Sequence, residues 1–226
     1  MEVNDCKKST LGHYMHIGKV KAGEIRTGDS VEAKVDSERR EAIRRNHTSV
    51  HLLQAALQQV LGDHVHQAGS LVEPDRLRFD FTHYSALTAE ELAKIDAMVQ
   101  DASLEGYEVD IREMPIDEAK AMGAMALFSE KYGDTVRVVN MGNYSIELCG
   151  GTHVVNTAKM GLFKILGENG IASGVRRIEA VTGVGVLDLL RDYRKEIESA
   201  AAALKCNNAQ NLVPKCVSLM EEVKTL

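Results

Sequence analysis

The spacing of apolar residues changes period several times along the chain, and each change marks an element. Residues 13–35, HYMHIGKVKAGEIRTGDSVEAKV, read as short strands, with Gly18, Gly23 and Gly28-Asp29 spaced as turns and an alternating VEAKV at the end. This stretch is too short for a complete domain and predicts the trailing hairpins of a small β-barrel. Asp36-Ser37 then caps a helix that runs to about Leu61, where Gly62 ends it. Ile43, Val50, Leu53, Leu57 and Val60-Leu61 form its apolar stripe, while His47 and His51, at i and i+4, project from one face.

Two strands follow, His64 to Val72 and Leu77 to Phe81, joined by a Glu73-Pro74-Asp75 turn. Thr88-Ala-Glu-Glu91 is a capping box that opens a helix reaching Gly106. Tyr107–Arg112 reads as a strand stopped by Pro115, Ile116–Met122 as a short helix, and Thr135–Val139 and Tyr144–Leu148 as extended segments. Residues 161–182 predict a hairpin turning around Glu168–Gly170, and from Gly185 the pattern is helical to the end, interrupted before Asn211. This order predicts an α+β fold, with helices packed on a largely antiparallel sheet. Three regions are expected: the end of a β-barrel (1–35), a principal domain (36–183), and an amphipathic helical tail (184–226) serving as a connector or pairing segment.

Composition narrows the class. Of the 226 residues, 44% are hydrophobic and 27% charged, the balance of a soluble globular protein with a real core. The first ten residues lack the apolar core of a signal peptide, so a cytoplasmic location is the expectation. Four cysteines in such a chain do not suggest a disulfide framework. The net charge of −6 argues against nucleic acid, but it is unevenly spread: Thr88–Glu118 carries ten acidic and two basic residues, leaving the remainder at +2. Arginines cluster at 39-40, 44-45 and 176-177.

The chemistry gathers at Cys149-Gly150-Gly151-Thr152-His153 and at His47-Thr48-Ser49-Val50-His51. Either pair alone is only a moderate metal signal. Together they offer one thiolate and three imidazoles, the donors zinc prefers over the oxygen ligands of magnesium or calcium. A zinc protease is excluded, because that motif needs Glu directly after the first His, and Thr48 stands there. No carboxylate base is evident beside the ligands. Gly150 and Gly151, without side chains, either let a ligand approach closely or serve only the bend. Gln67, just past the long helix, is a candidate to reach a substrate or an attacking water, and Arg176-Arg177 to hold a phosphate; each is equally read as an ordinary surface residue.

HTSVHLL, HVHQAGSLV, RLRFDF, MPIDEAKAMGAMALFSEKYGD, ELCGGTHV, GLFKI and GIASGVRRIEAVTG together resemble the editing domain of bacterial alanyl-tRNA synthetases, over roughly Val35 to Gly183. The resemblance implies hydrolysis of Ser-tRNA(Ala), and of Gly-tRNA(Ala), with zinc on His47, His51, Cys149 and His153. It places Gln67 on a glutamine linked to editing, and Arg176 and Arg177 in a segment lining the site. Thr48 is a candidate for positioning the attacking water. Nothing resembles the aminoacylation core. The related threonyl-tRNA synthetase editing domain shares the two ligand pairs, but QAGSLV and GVRRIEAVTG favour the alanyl enzymes. A part of such an enzyme, a free-standing editing protein and a non-catalytic zinc-stabilised RNA-binding module remain alternatives; the truncated barrel and interrupted tail favour the first.

Overall fold

The computed structural model describes residues 1–125 and 133–225. The chain divides into two compact units, Met1–Val35 and Asp36–Leu226. The first is a single antiparallel hairpin of β1 (Glu2–Lys8) and β2 (Tyr14–Lys19), with every residue of both strands exposed. The VEAKV alternation does not become a strand, and the described residues contain no closed barrel. A two-stranded ribbon with no apolar face to bury cannot close on itself.

In the second unit, α1 (Ser37–Leu61) is the central element. Asp36 caps it by accepting from the Arg39 amide, and Gly62 ends it at φ 112°, a left-handed value that favours glycine. The expected one-sided stripe is too narrow a description. From Asn46 to Leu57 every residue except His47 and Ala55 is buried, including Thr48, His51 and Gln54. The cause is packing on several sides: α1 touches α2 (Ala89–Glu105), the strands β3 (Gln67–Val72), β4 (Leu77–Thr82) and β9 (Val175–Thr182), and also β7 (Ser145–Leu148).

The strands of this unit form two antiparallel sheets. One has the order β3-β4-β9-β8, with β8 spanning Phe163–Ala172. The other, β5-β6-β7, adds β5 (Val109–Pro115) and β6 (Thr135–Met141). Leu77, Phe79 and Phe81 of β4 and Ile178 and Ala180 of β9 enter the main core with Leu53 and Leu57 of α1 and Ile95 and Val99 of α2. A smaller cluster of Met114, Ala119, Val136, Val138 and Leu148 lies between α3 (Ile116–Ala121) and the three-stranded sheet. The arrangement is α+β, as the pattern predicts.

Several boundaries follow identifiable chemistry. The Thr88 capping box forms in full, with Glu91 returning its carboxylate to the Thr88 amide. The β8–β9 turn is not at Glu168–Gly170. It lies at Ser173-Gly174, where Gly174 takes φ 69°, and the earlier glycines fall at register shifts inside one long strand. Asn46, 1% exposed, ties α1 to the β3–β4 turn and to the end of β9: its amide donates to Glu73 O (2.7 Å) and accepts from Thr182 Oγ1 (2.6 Å). Helices α4 (Val184–Ala203) and α5 (Leu212–Thr225) complete the chain. Among the described residues no helix is long and apolar enough to cross a membrane. Residues 126–132 of the MPIDEAKAMGAMALFSEKYGD stretch lie outside the described residues.

Candidate metal centre

The two ligand pairs meet. One side-chain donor atom from each of His47, His51, Cys149 and His153 lies within 4.8 Å of all the others. The His pair comes from adjacent turns of α1; the Cys–His pair comes from the loop that leaves β7. Cys149 Sγ is 3.6 Å from His47 Nε2 and 3.4 Å from His153 Nε2. Zinc bonds of about 2.05 Å to nitrogen and 2.3 Å to sulfur give tetrahedral N···S edges of about 3.6 Å. The donor set and its spacing therefore fit such an ion.

Electrostatics favours the ligating state of the imidazoles. Burial, followed by the charge of Arg137, lowers the pKa of His47. Burial, then His47 and Arg137, pushes His51 down to about 3. Burial and the two neighbouring imidazoles lower His153 as well. Neutral imidazole is the form that binds a metal. Burial pushes the Cys149 thiol up, opposed by the Gly151 amide and by Arg137. The Gly151 N–H points at Sγ from 3.4 Å, a donor suited to the thiolate that metal binding would require.

Residues outside the cluster approach the imidazoles. The Thr152 backbone partly opposes the lowering of the His47 pKa. Thr48, fully buried, places Oγ1 3.3 Å from His153 Nδ1 and accepts from the Val154 amide at 3.2 Å. His51 Nδ1 lies 3.4 Å from Glu147 Oε2, with both side chains under 5% exposed. That contact is long, and His51 Nδ1 has no hydrogen-bond partner of good geometry. No other carboxylate approaches this nitrogen among the described ion pairs.

The two glycines differ. A Cβ on Gly151 would stand 1.8 Å from His47 Cε1, whereas one on Gly150 would meet nothing within 4 Å. Gly151 thus makes room for a ligand of the cluster itself, and only Gly150 presents open backbone to an approaching molecule. Arg137, on β6, clasps the same bend: Nη1 donates to Cys149 O at 2.6 Å and to Gly151 O at 2.8 Å.

The remaining sequence candidates are dispersed. Thr48 is buried, and its hydroxyl lies against the ligand His153. Arg176 and Arg177 do not act as a pair, because neighbours on a strand project to opposite faces. Arg176 engages Glu168, and Arg177 engages both oxygens of Asp80 at 2.7 and 2.9 Å. With carboxylates already on both guanidiniums, the pair is not the open phosphate clamp its sequence suggests. Gln67 opens β3 opposite Phe81, half-buried, its amide meeting only Ser70 Oγ at 3.4 Å.

Two residues of the site were missed in the sequence. Glu147 contradicts the expectation that no carboxylate stands beside the ligands. The signal was present: with a period of two, Ser145, Glu147 and Cys149 share one face of the extended segment. Arg137 had no comparable cue, being one arginine in a valine-rich strand.

Residues 136–179 match the family described as the threonyl and alanyl tRNA synthetase second additional domain. Over 99% of its length the chain is 55% identical to an alanine–tRNA ligase of Acetivibrio thermocellus, of which it covers 25%. It is 51% identical to that of Bacillus pumilus over 99% of the chain and 25% of the relative. With that of Staphylococcus epidermidis it shares 50% identity over all of the chain and 26% of the relative. The chain thus spans about a quarter of the length of these relatives.

Proposed function

We propose that this chain, which belongs to the alanyl-tRNA synthetase family in the region that carries the second additional domain, hydrolyses mischarged aminoacyl-tRNA at the His47–His51–Cys149–His153 centre. The substrate would be the ester of tRNA(Ala) with serine, and with glycine. The observation that carries this reading is the four-donor cluster, bordered by the open backbone of Gly150. An alanine pocket cannot exclude glycine by size, nor serine strongly by one hydroxyl, so a second, hydrolytic sieve is the chemical remedy.

In the reaction, water adds to the ester carbonyl, the bond to the ribose oxygen breaks, and the ribose hydroxyl recovers a proton. His47, His51, Cys149 and His153 would hold a zinc ion, which would supply Lewis acidity at this centre. The residues of the chain do the arranging. Thr48 meets the His153 ring, and Arg137 fixes the bend by holding two of its carbonyls. Gly150 leaves the approach free of side chains. Gln67, whose amide has only a weak partner, is the candidate to meet the serine hydroxyl or the ribose.

The test is to incubate the zinc-loaded chain with Ser-tRNA(Ala) and Ala-tRNA(Ala) and follow the ester. Preferential loss of the seryl ester is expected, and equal stability of both at high protein concentration would refute the reading. Four protein donors are also the set of a closed structural zinc site, which favours a second reading as a zinc-stabilised RNA-binding module. That module would bind tRNA in a metal-dependent way without deacylating it. With a net charge of −6, affinity for tRNA should be weak in either case.

A further inference from the structure

We propose that Glu147 is a positioning residue of the metal centre, holding His51 in the one tautomer that presents Nε2 to the ion. The argument rests on geometry. His51 has two ring nitrogens, and Nδ1 faces Glu147 Oε2 at 3.4 Å, which leaves Nε2 for the cluster. An imidazole that ligates through Nε2 carries its proton on Nδ1 and needs an acceptor there. His51 is 3% exposed, so water does not supply one, and no hydrogen bond of good geometry satisfies this nitrogen. A shortening of about 0.4 Å would bring the contact into hydrogen-bond range.

The carboxylate is itself fixed. Glu147 is 2% exposed, and its other oxygen accepts from Ser145 Oγ at 3.1 Å. Ser145, Glu147 and Cys149 lie on the same side of one extended segment, so a single strand delivers a ligand and the group that orients another ligand. A buried carboxylate whose side-chain neighbours are the Ser145 hydroxyl and the His51 ring has little use in the fold alone. This inference rests on the metal-site reading but not on deacylation.

The experiment measures zinc dissociation constants of the full chain by chelator competition, the absorption spectrum of the cobalt-substituted protein, and the thermal midpoint of the metal-free protein. Glu147→Met keeps the volume and removes the acceptor; Glu147→Gln keeps an acceptor without the charge. Glu147→Met is expected to weaken zinc binding by about 10- to 100-fold and to change the cobalt spectrum, without lowering the metal-free midpoint. Glu147→Gln should recover most of the affinity. Zinc binding by Glu147→Met within twofold of wild type would overturn the proposal, as would a matched loss in metal-free stability with affinity unchanged. Should Glu147→Met fail to fold, Ser145→Ala provides the same comparison: looser zinc binding supports the proposal and unchanged binding opposes it. Wild-type protein that binds no zinc would overturn the metal reading itself, and zinc binding without deacylation would leave this inference standing.

Discussion

Gly151→Ala tests the site through a single methyl group. The added Cβ would lie 1.8 Å from His47 Cε1 and 2.3 Å from Nδ1, against an ordinary carbon contact of roughly 3.5 Å. The ring would have to retreat by about 1.7 Å, whereas metal–ligand distances tolerate about 0.2 Å. Nor can the loop easily yield, because Arg137 holds the carbonyls of Cys149 and Gly151 and the Gly151 amide points at Sγ. His47 must therefore leave the cluster. Gly151→Ala should lower zinc affinity by about 100-fold or more, equivalent to about 3 kcal/mol, and should resemble His47→Ala. Gly150→Ala, which meets nothing within 4 Å, should bind zinc like wild type. Chelator-competition titration of the three variants measures this directly. Zinc binding by Gly151→Ala within a few-fold of wild type would refute the close approach of the His47 ring to this glycine.

Further outcomes follow from the same contacts. Arg137→Met removes two charge-assisted hydrogen bonds to the bend and should speed zinc release about tenfold, the effect of about 1.4 kcal/mol, read in stopped-flow with excess chelator. Asn46→Ala strands the Thr182 hydroxyl and two turn carbonyls in a buried setting, and should cost about 3 kcal/mol in urea unfolding of the zinc-loaded protein. For the metal-free protein, His47, His51 and His153 all have lowered pKa values, so their contribution is complete above about pH 6.5 and falls as acid protonates the unfolded chain preferentially. Glu147, pushed up to about 8 by burial, acts in the opposite sense and costs stability as pH rises from 4.5 towards 8. Three groups outweigh one below pH 6.5 and only Glu147 acts above it, so the metal-free thermal midpoint should peak near pH 6.5; a midpoint rising steadily to pH 8 would contradict this.

What was legible in the sequence was what depends on residue type and short-range spacing. The four ligands announced themselves by identity, and the Thr88 cap and the Asp36 start of α1 by local hydrogen-bonding logic. What was not legible depends on partners that come from elsewhere in the chain. The α1 stripe was underestimated because a helix enclosed on several sides reads as only weakly amphipathic. The Arg176-Arg177 dyad looked like one cationic unit until the strand sent its members to different carboxylates, Glu168 and Asp80. The β8–β9 turn was misplaced because glycines at bulges and glycines at turns look alike in a sequence.

The position of the metal centre follows from the same division. Ninety-seven residues separate His51 from Cys149, and no local rule brings them together. The packing does: Val50, Leu53 and Leu57 of α1 join the main core, Leu148 of β7 the smaller one, and α1 touches β7 directly. His51 and Cys149 each sit next to one of these anchors, so apolar burial sets the approach of the ligand pairs and polar contacts refine it. This accounts for the different characters of the residues around the cluster. Apolar neighbours bring the two segments together; Thr48, Glu147 and Arg137 then fix rings and loop to the precision coordination needs. A sequence search for ligands finds the four donors, but only the fold identifies the three residues that aim them.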